Sequence, residues 1–185
     1  ATPQLSNYIN DNKCVLITGG TSGIGAETAR LFAEEGARVV ITGRSVQKGQ
    51  ALAKSLGNSV EFFEADISDE EQIKASIEYT KKELGKIDVL FNNAGGPADA
   101  PLDQITQEDI DKGVRLLLSS VMLGTRYVIE PMKANGGGVI IKKLFFISTF
   151  GITFKKFVLS KLNRFGFFLL NKYLVFINFI FKDLA

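Results

Sequence analysis

Residues 18–25, Thr18-Gly19-Gly20-Thr21-Ser22-Gly23-Ile24-Gly25, place four glycines among small hydroxyl side chains. Without Cβ atoms, such a loop turns tightly and lets backbone N–H groups approach a charged oxygen. If a helix opens inside the loop, its aligned amides and its dipole favour a pyrophosphate. Glycines that serve only a turn are the plainer alternative, and placement between a strand and a helix separates the two. Further along, Thr42-Gly43-Arg44 ends an apolar run with a guanidinium and no carboxylate, a combination suited to phosphate. No histidine exists, so a histidine-based triad or a histidine-rich metal site cannot be built. Cys14 is the only cysteine, which excludes an internal disulfide, and its apolar neighbours read it as a small core residue. Asp69-Glu70-Glu71 reads as a helix N-terminus and Lys81-Lys82 as a solvated face; neither implies a metal.

The surrounding pattern predicts how the loop is held. Residues 14–18 form an apolar strand, and Ile24, Thr28, Leu31, Phe32 and Glu35 recur at helical spacing up to a cap at Gly36. A β-branched strand over 37–42 completes a β-α-β unit. Ser45 is expected to cap a helix ending near Gly57, a third strand covers 60–64, and Ser68-Asp-Glu-Glu71 fits a capping box for a helix ending near Gly85. A fourth strand spans 86–91, and Thr106 is expected to cap one long amphipathic helix to about Lys133. Strand and helix alternate, which calls for right-handed crossovers and a doubly wound parallel α/β sheet with helices on both faces.

At 185 residues with 45% hydrophobic side chains, one core is feasible and two substantial ones are not. The formal charge of +2 gives no electrostatic reason to expect nucleic acid as partner. That total conceals a junction. Residues 1–141 hold 14 basic and 19 acidic side chains, whereas 142–185 hold 8 basic ones and only Asp183, and 11 of the 15 phenylalanines fall in the second part. The expected organisation is therefore an α/β domain over 1–141, which carries the glycine loop, followed by a diverged or aberrant Phe/Lys-rich tail over 142–185. Three origins of the tail stay open: a frameshifted or unspliced reading, a remnant that still adds a strand such as 144–147, and membrane or partner attachment through 165–181. The last ranks lowest, because Asn171, Lys172 and Asn178 interrupt that apolar run. A polar stretch over 1–13, without a secretory pattern, leads to an expected cytoplasmic location.

Taken together, the motifs resemble the classical short-chain dehydrogenase/reductase family. Its Thr-Gly-x-x-x-Gly-x-Gly loop matches Thr18, Gly19, Gly23 and Gly25, with Thr21, Ser22 and Ile24 inside it. Ala65-Asp66-Ile67 after the third strand and Asn92-Asn93-Ala94-Gly95 after the fourth follow in the family's order and spacing. The resemblance covers residues 12–141 and implies a Rossmann-like fold with an incomplete C-terminal part, a nicotinamide dinucleotide cofactor and association into homo-oligomers. It implies that Asp66 and Ile67 border the adenine while Asn93, Ala94 and Gly95 support the inner ribose. The missing acid after the second strand, with Arg44 in its place, favours NADP(H) over NAD(H).

The family donates a proton to the developing alkoxide from a Tyr-x-x-x-Lys pair. Tyr8, Tyr79, Tyr127 and Tyr173 are followed four places on by Asn12, Glu83, Pro131 and Ile177, so none fits. An asparagine of the family's following helix is also absent from residues 114–119. Ser148 in Ile147-Ser148-Thr149-Phe150-Gly151 resembles the family's catalytic serine, and Lys161 its lysine, with Phe157 standing where tyrosine belongs. A serine and a lysine placed by composition alone are the equal alternative. Two functions follow: an NADP(H)-dependent oxidoreductase acting on a small alcohol or carbonyl, or a catalytically inactive NADP(H)-binding remnant or regulatory pseudoenzyme.

Overall fold

The computed structural model describes residues 12–96 and 103–143, together with the backbone of 168–170 and 173–179. Five strands run parallel: β1 (Cys14–Ile17), β2 (Arg38–Gly43), β3 (Val60–Glu64), β4 (Val89–Asn92) and β5 (Val139–Lys143). β7 (Tyr173–Phe179) pairs antiparallel with β5, and β6 (Phe168–Leu170) with β7, giving the order β3-β2-β1-β4-β5-β7-β6. The chain winds outward from β1 in one direction and then returns to β1's other side through β4. That reversal between β1 and β4 opens a crevice at their carboxyl ends.

Every side chain of β1 is buried, as a central parallel strand requires. Its alternation divides the core in two. Cys14 and Leu16, with Val40, Leu90 and Ile140, meet Ile73, Ile77 and Leu84 of α3 (Glu70–Leu84) and Val128 and Met132 of α5 (Ser120–Ala134). Val15 and Ile17, with Val39, Ile41 and Phe91, meet Ala29 of α1 (Gly23–Glu34) and, at the edge of the cluster, Leu52 and Leu56 of α2 (Val46–Leu56). Two helices therefore cover each face of the sheet, as the strand–helix alternation predicts.

Three local expectations change. Ser68 does not cap α3: its hydroxyl donates to Asp66 at 2.7 Å, and Asp69 accepts instead from the amides of Glu71 (2.8 Å) and Gln72 (3.4 Å). A carboxylate is the stronger acceptor for two first-turn amides, and it carries the charge the dipole favours. The single helix expected from Thr106 is α4 (Gln107–Val114), a π-helical stretch at Arg115–Ser119, and then α5. Thr106 does cap it, in a reciprocal capping box with Asp109. The sequence reading also stops the parallel sheet at β4, whereas β5 adds a fifth strand that runs across the 141–142 junction. The strand envisaged at 144–147 lies outside the described residues.

Candidate dinucleotide site

β1 ends at Ile17, and the chain must turn from the sheet into α1 within a few residues. Gly19 makes that turn at φ +62°, where an added Cβ would lie 2.7 Å from the Ala94 Cα. Gly23 is at φ +55° with open space around it, so its backbone conformation, not packing, calls for glycine. Gly25 is the tightest: a Cβ there would fall 2.3 Å from the Gly19 carbonyl oxygen and 2.4 Å from Asn93 Nδ2.

α1 differs from the other helices that open from a loop. Ser45, Asp69 and Thr106 cap α2, α3 and α4 with their side chains. Ser22 stands at the N-cap of α1 in extended conformation without a side-chain hydrogen bond, and no acidic residue lies in the first turn. The first-turn amides of α1 therefore meet no anion from the protein itself, and the dipole is left uncompensated where the glycine loop leaves room. This cradle fits a pyrophosphate.

Beside it, the end of β4 is bonded to the end of β1. Thr18 Oγ1 donates to the Phe91 carbonyl at 3.4 Å and accepts from the amides of Asn93 (3.1 Å) and Ala94 (3.2 Å). Asn93 is buried at 3% exposure, and its Nδ2 donates to the carbonyls of Thr18 (3.0 Å) and Gly19 (2.9 Å). Gly95 is exposed at the crevice edge. Gly19, Gly23, Gly25, Asn93, Ala94 and Gly95 thus come together at one place, with Thr21, Ser22 and Ile24 in the same loop.

Arg44 and Asp66 flank this centre at the carboxyl ends of β2 and β3. The Ala65 amide donates to the Gly43 carbonyl at 3.2 Å, which joins the two ends, and a Cβ on Gly43 would touch the Thr21 methyl at 2.7 Å. Arg44 is exposed and has no hydrogen bond or ion pair among the described residues. The Asp66 carboxylate accepts from the Ser68 amide at 2.9 Å and from its hydroxyl, while Ile67 is buried. Asp66 therefore shapes the turn into α3.

Two residues at this edge escape the sequence reading as site residues. Thr18 supplies the Oγ1 that ties β4 to β1, although the motif contains it. Lys143, assigned by composition to the tail, donates from Nζ to Asn93 Oδ1 at 2.8 Å, and burial pulls its amine down to about 8. The apolar run Val139-Ile140-Ile141 was the available signal for a strand carrying it to this edge.

Tyr79 and Tyr127 both have their hydroxyls engaged by carboxylates. Tyr79 donates to Glu61 at 2.9 Å, and desolvation, followed by that bond, pushes its hydroxyl up to about 12. Tyr127 donates to Glu70, which raises its pKa as well. Ser148, Phe157 and Lys161 lie outside the described residues. Among the described residues, no group of three or more acidic, cysteine or histidine side chains could hold a metal ion.

A family model described as short chain dehydrogenase matches residues 13–149, which includes the glycine loop and all five parallel strands. The chain belongs to the short chain dehydrogenase family. It is 40% identical over 133 residues to an uncharacterized oxidoreductase of Thermotoga maritima, across 70% of this chain and 52% of that protein. It is 38% identical over 131 residues to the NADP-dependent (R)-specific alcohol dehydrogenase of Lentilactobacillus kefiri, across 70% and 52%. A solved structure of 3-ketoacyl-(acyl-carrier-protein) reductase from Brucella melitensis, complexed with NADH, is similar with a TM-score of 0.65 at 36% identity, covering 68% of this chain and 52% of that one. The chain spans about half the length of these relatives. The matched region holds the crevice and both edges of the candidate site.

Proposed function

We propose that this short chain dehydrogenase binds NADP(H) in preference to NAD(H) and serves hydride transfer between the nicotinamide and a small alcohol or carbonyl compound. The observation that carries the reading is α1 opening without a side-chain cap or first-turn acid onto the Gly19–Gly25 loop. The amides of that turn would receive the pyrophosphate. Asn93, Ala94 and Gly95 would support the inner ribose, and Asp66 and Ile67 would border the adenine. Arg44, exposed and without a partner among the described residues, would meet a 2′-phosphate with charge-assisted hydrogen bonds. The Lentilactobacillus kefiri relative is named for NADP dependence and the Brucella melitensis structure for NADH, so the family accommodates both. The local argument for NADP(H) is the absence of a carboxylate from Thr42-Gly43-Arg44.

When bound, the nicotinamide supplies or accepts the hydride, and the protein must then hold or deliver one proton. Ser148 and Lys161 are the groups proposed for that work, with Phe157 filling the ring position without a hydroxyl. A second reading, binding without turnover, is favoured by Tyr79 and Tyr127, whose hydroxyls are both held by carboxylates.

Fluorescence titration with NADPH and NADH, paired with turnover assays over a carbonyl panel, tests both readings. The expected result is saturable binding with NADPH tighter than NADH, and loss of that preference in Arg44→Asp. Turnover above the buffer rate supports the oxidoreductase, and binding without turnover supports the second reading. Equal weakening of both nucleotides by Arg44→Asp overturns the assignment of Arg44.

A further inference from the structure

The Asn93 side chain joins three parts of the protein. Its Nδ2 donates to the carbonyls of Thr18 and Gly19 at 3.0 and 2.9 Å, and its Oδ1 accepts from Lys143 Nζ at 2.8 Å. At 3% exposure, each polar atom of this amide has to be met from within the protein. The two carbonyls demand the NH2 end, so Oδ1 must face β5. A donor on β5 then holds the amide against a flip that would set oxygen against oxygen. The register makes the contact possible: Asn92 pairs with Lys142, which brings Lys143 level with Asn93 at the carboxyl edge of the sheet. On its other side, the amide lies under the first turn of α1, since a Cβ on Gly25 would come 2.4 Å from Nδ2.

We infer that Lys143 is a positioning residue of the dinucleotide site, orienting Asn93 so that the Gly19 peptide and the amides opening α1 stay in the geometry that receives the pyrophosphate. This rests on the dinucleotide reading above. The contact is part-buried, so water replaces a lost donor only incompletely. Arg44 stands at the far edge and is untouched by the change, so the effect falls on both nucleotides alike.

The experiment uses the full chain with Lys143→Met, which keeps much of the stem and removes the donor, and Lys143→Arg, which restores a charged donor. Nucleotide affinities are measured by titration, and the Asn93 side-chain NH2 signals are followed by 15N NMR without nucleotide. Lys143→Met is expected to weaken NADPH and NADH by a similar factor, roughly tenfold. Its Asn93 signals are expected to shift and to exchange faster, and Lys143→Arg is expected to recover both properties in part. Lys143→Ala, which likewise removes the donor, gives the same comparison should Lys143→Met not fold. Unmoved Asn93 signals with unchanged affinities overturn the inference, as does a Lys143→Arg protein as weak as Lys143→Met. If the wild type binds neither nucleotide, the dinucleotide reading fails, and the Asn93 signals still decide whether Lys143 orients that amide.

Discussion

Gly25 concentrates the physical demands of the site in one missing side chain. A methyl group there would sit 2.3 Å from a backbone oxygen and 2.4 Å from a buried amide, so the loop, α1 and β4 would have to separate. Gly25→Ala is expected to cost about 1–3 kcal/mol of stability through overpacking. It should also weaken nucleotide binding more than that cost implies, because the displaced peptide belongs to the loop proposed to receive the pyrophosphate. Gly57→Ala is the control: Gly57 has φ +83° with nothing within 4 Å of an added Cβ. With ψ at −167°, its backbone lies in a region open essentially to glycine alone, and that strain, about 1–3 kcal/mol, should lower its melting temperature and leave affinity unchanged. Denaturant melts and nucleotide titrations of the two variants check this. Equal affinity loss in both would show that Gly25 acts only through global stability.

At the scale of elements, capping chemistry separates the side-chain-capped helices α2, α3 and α4 from α1, whose N-terminus has no side-chain cap. Asp69 accepts from the Gln72 side chain at 3.1 Å and from the Glu71 amide at 2.8 Å, and these bonds hold its carboxyl below the ordinary carboxylate range. A depressed native pKa contributes stability that is present above the unfolded value and is lost as pH falls through the native one. Asp69→Ala should therefore melt several degrees below wild type at neutral pH, and the gap should close in strong acid. A gap that stays constant across that range contradicts the assignment of Asp69 as a charged cap. The corresponding position in α1, Ser22, makes no side-chain bond, and its replacement by alanine should leave the melting temperature almost unchanged.

Elements also show how far the sequence could be read. β1 to β4 and their helices were legible because each apolar run is bounded by glycine or a capping residue, as at Gly36, Ser45, Gly57 and Gly85. The cap of α3 was misplaced by one residue because Ser68 and Asp69 both qualify locally. Only the tertiary position of Asp66, which takes the Ser68 hydroxyl, decides between them. The π-helical stretch at Arg115–Ser119 leaves no local signature, since Leu116, Leu117 and Leu118 fit an α-helix equally well. β5 was hidden because the change to a Lys- and Phe-rich composition begins inside it, and composition follows the chain, not the sheet. The glycine loop and the Asn93 turn were legible as motifs. Lys143 was not, because only the parallel pairing of β4 and β5 brings it to Asn93.

At the scale of the molecule, the order β3-β2-β1-β4-β5 lines up, along one edge, the described residues proposed for the site. Asp66 and Ile67 follow β3, Arg44 follows β2, the glycine loop follows β1, Asn93 follows β4 and Lys143 ends β5. An extended ligand with a diphosphate near its middle suits that edge: the anion at α1, one half toward Arg44 and the other toward Lys143. The described part also contains no helix long and apolar enough to cross a membrane. The most direct measurement is backbone amide NMR of the intact protein during NADPH addition. Saturable shifts centred on the amides of Ser22 to Gly25, and extending to Arg44 on one side and to Asn93–Gly95 on the other, are the predicted result. A folded protein whose glycine-loop amides stay fixed at saturating nucleotide would contradict the account.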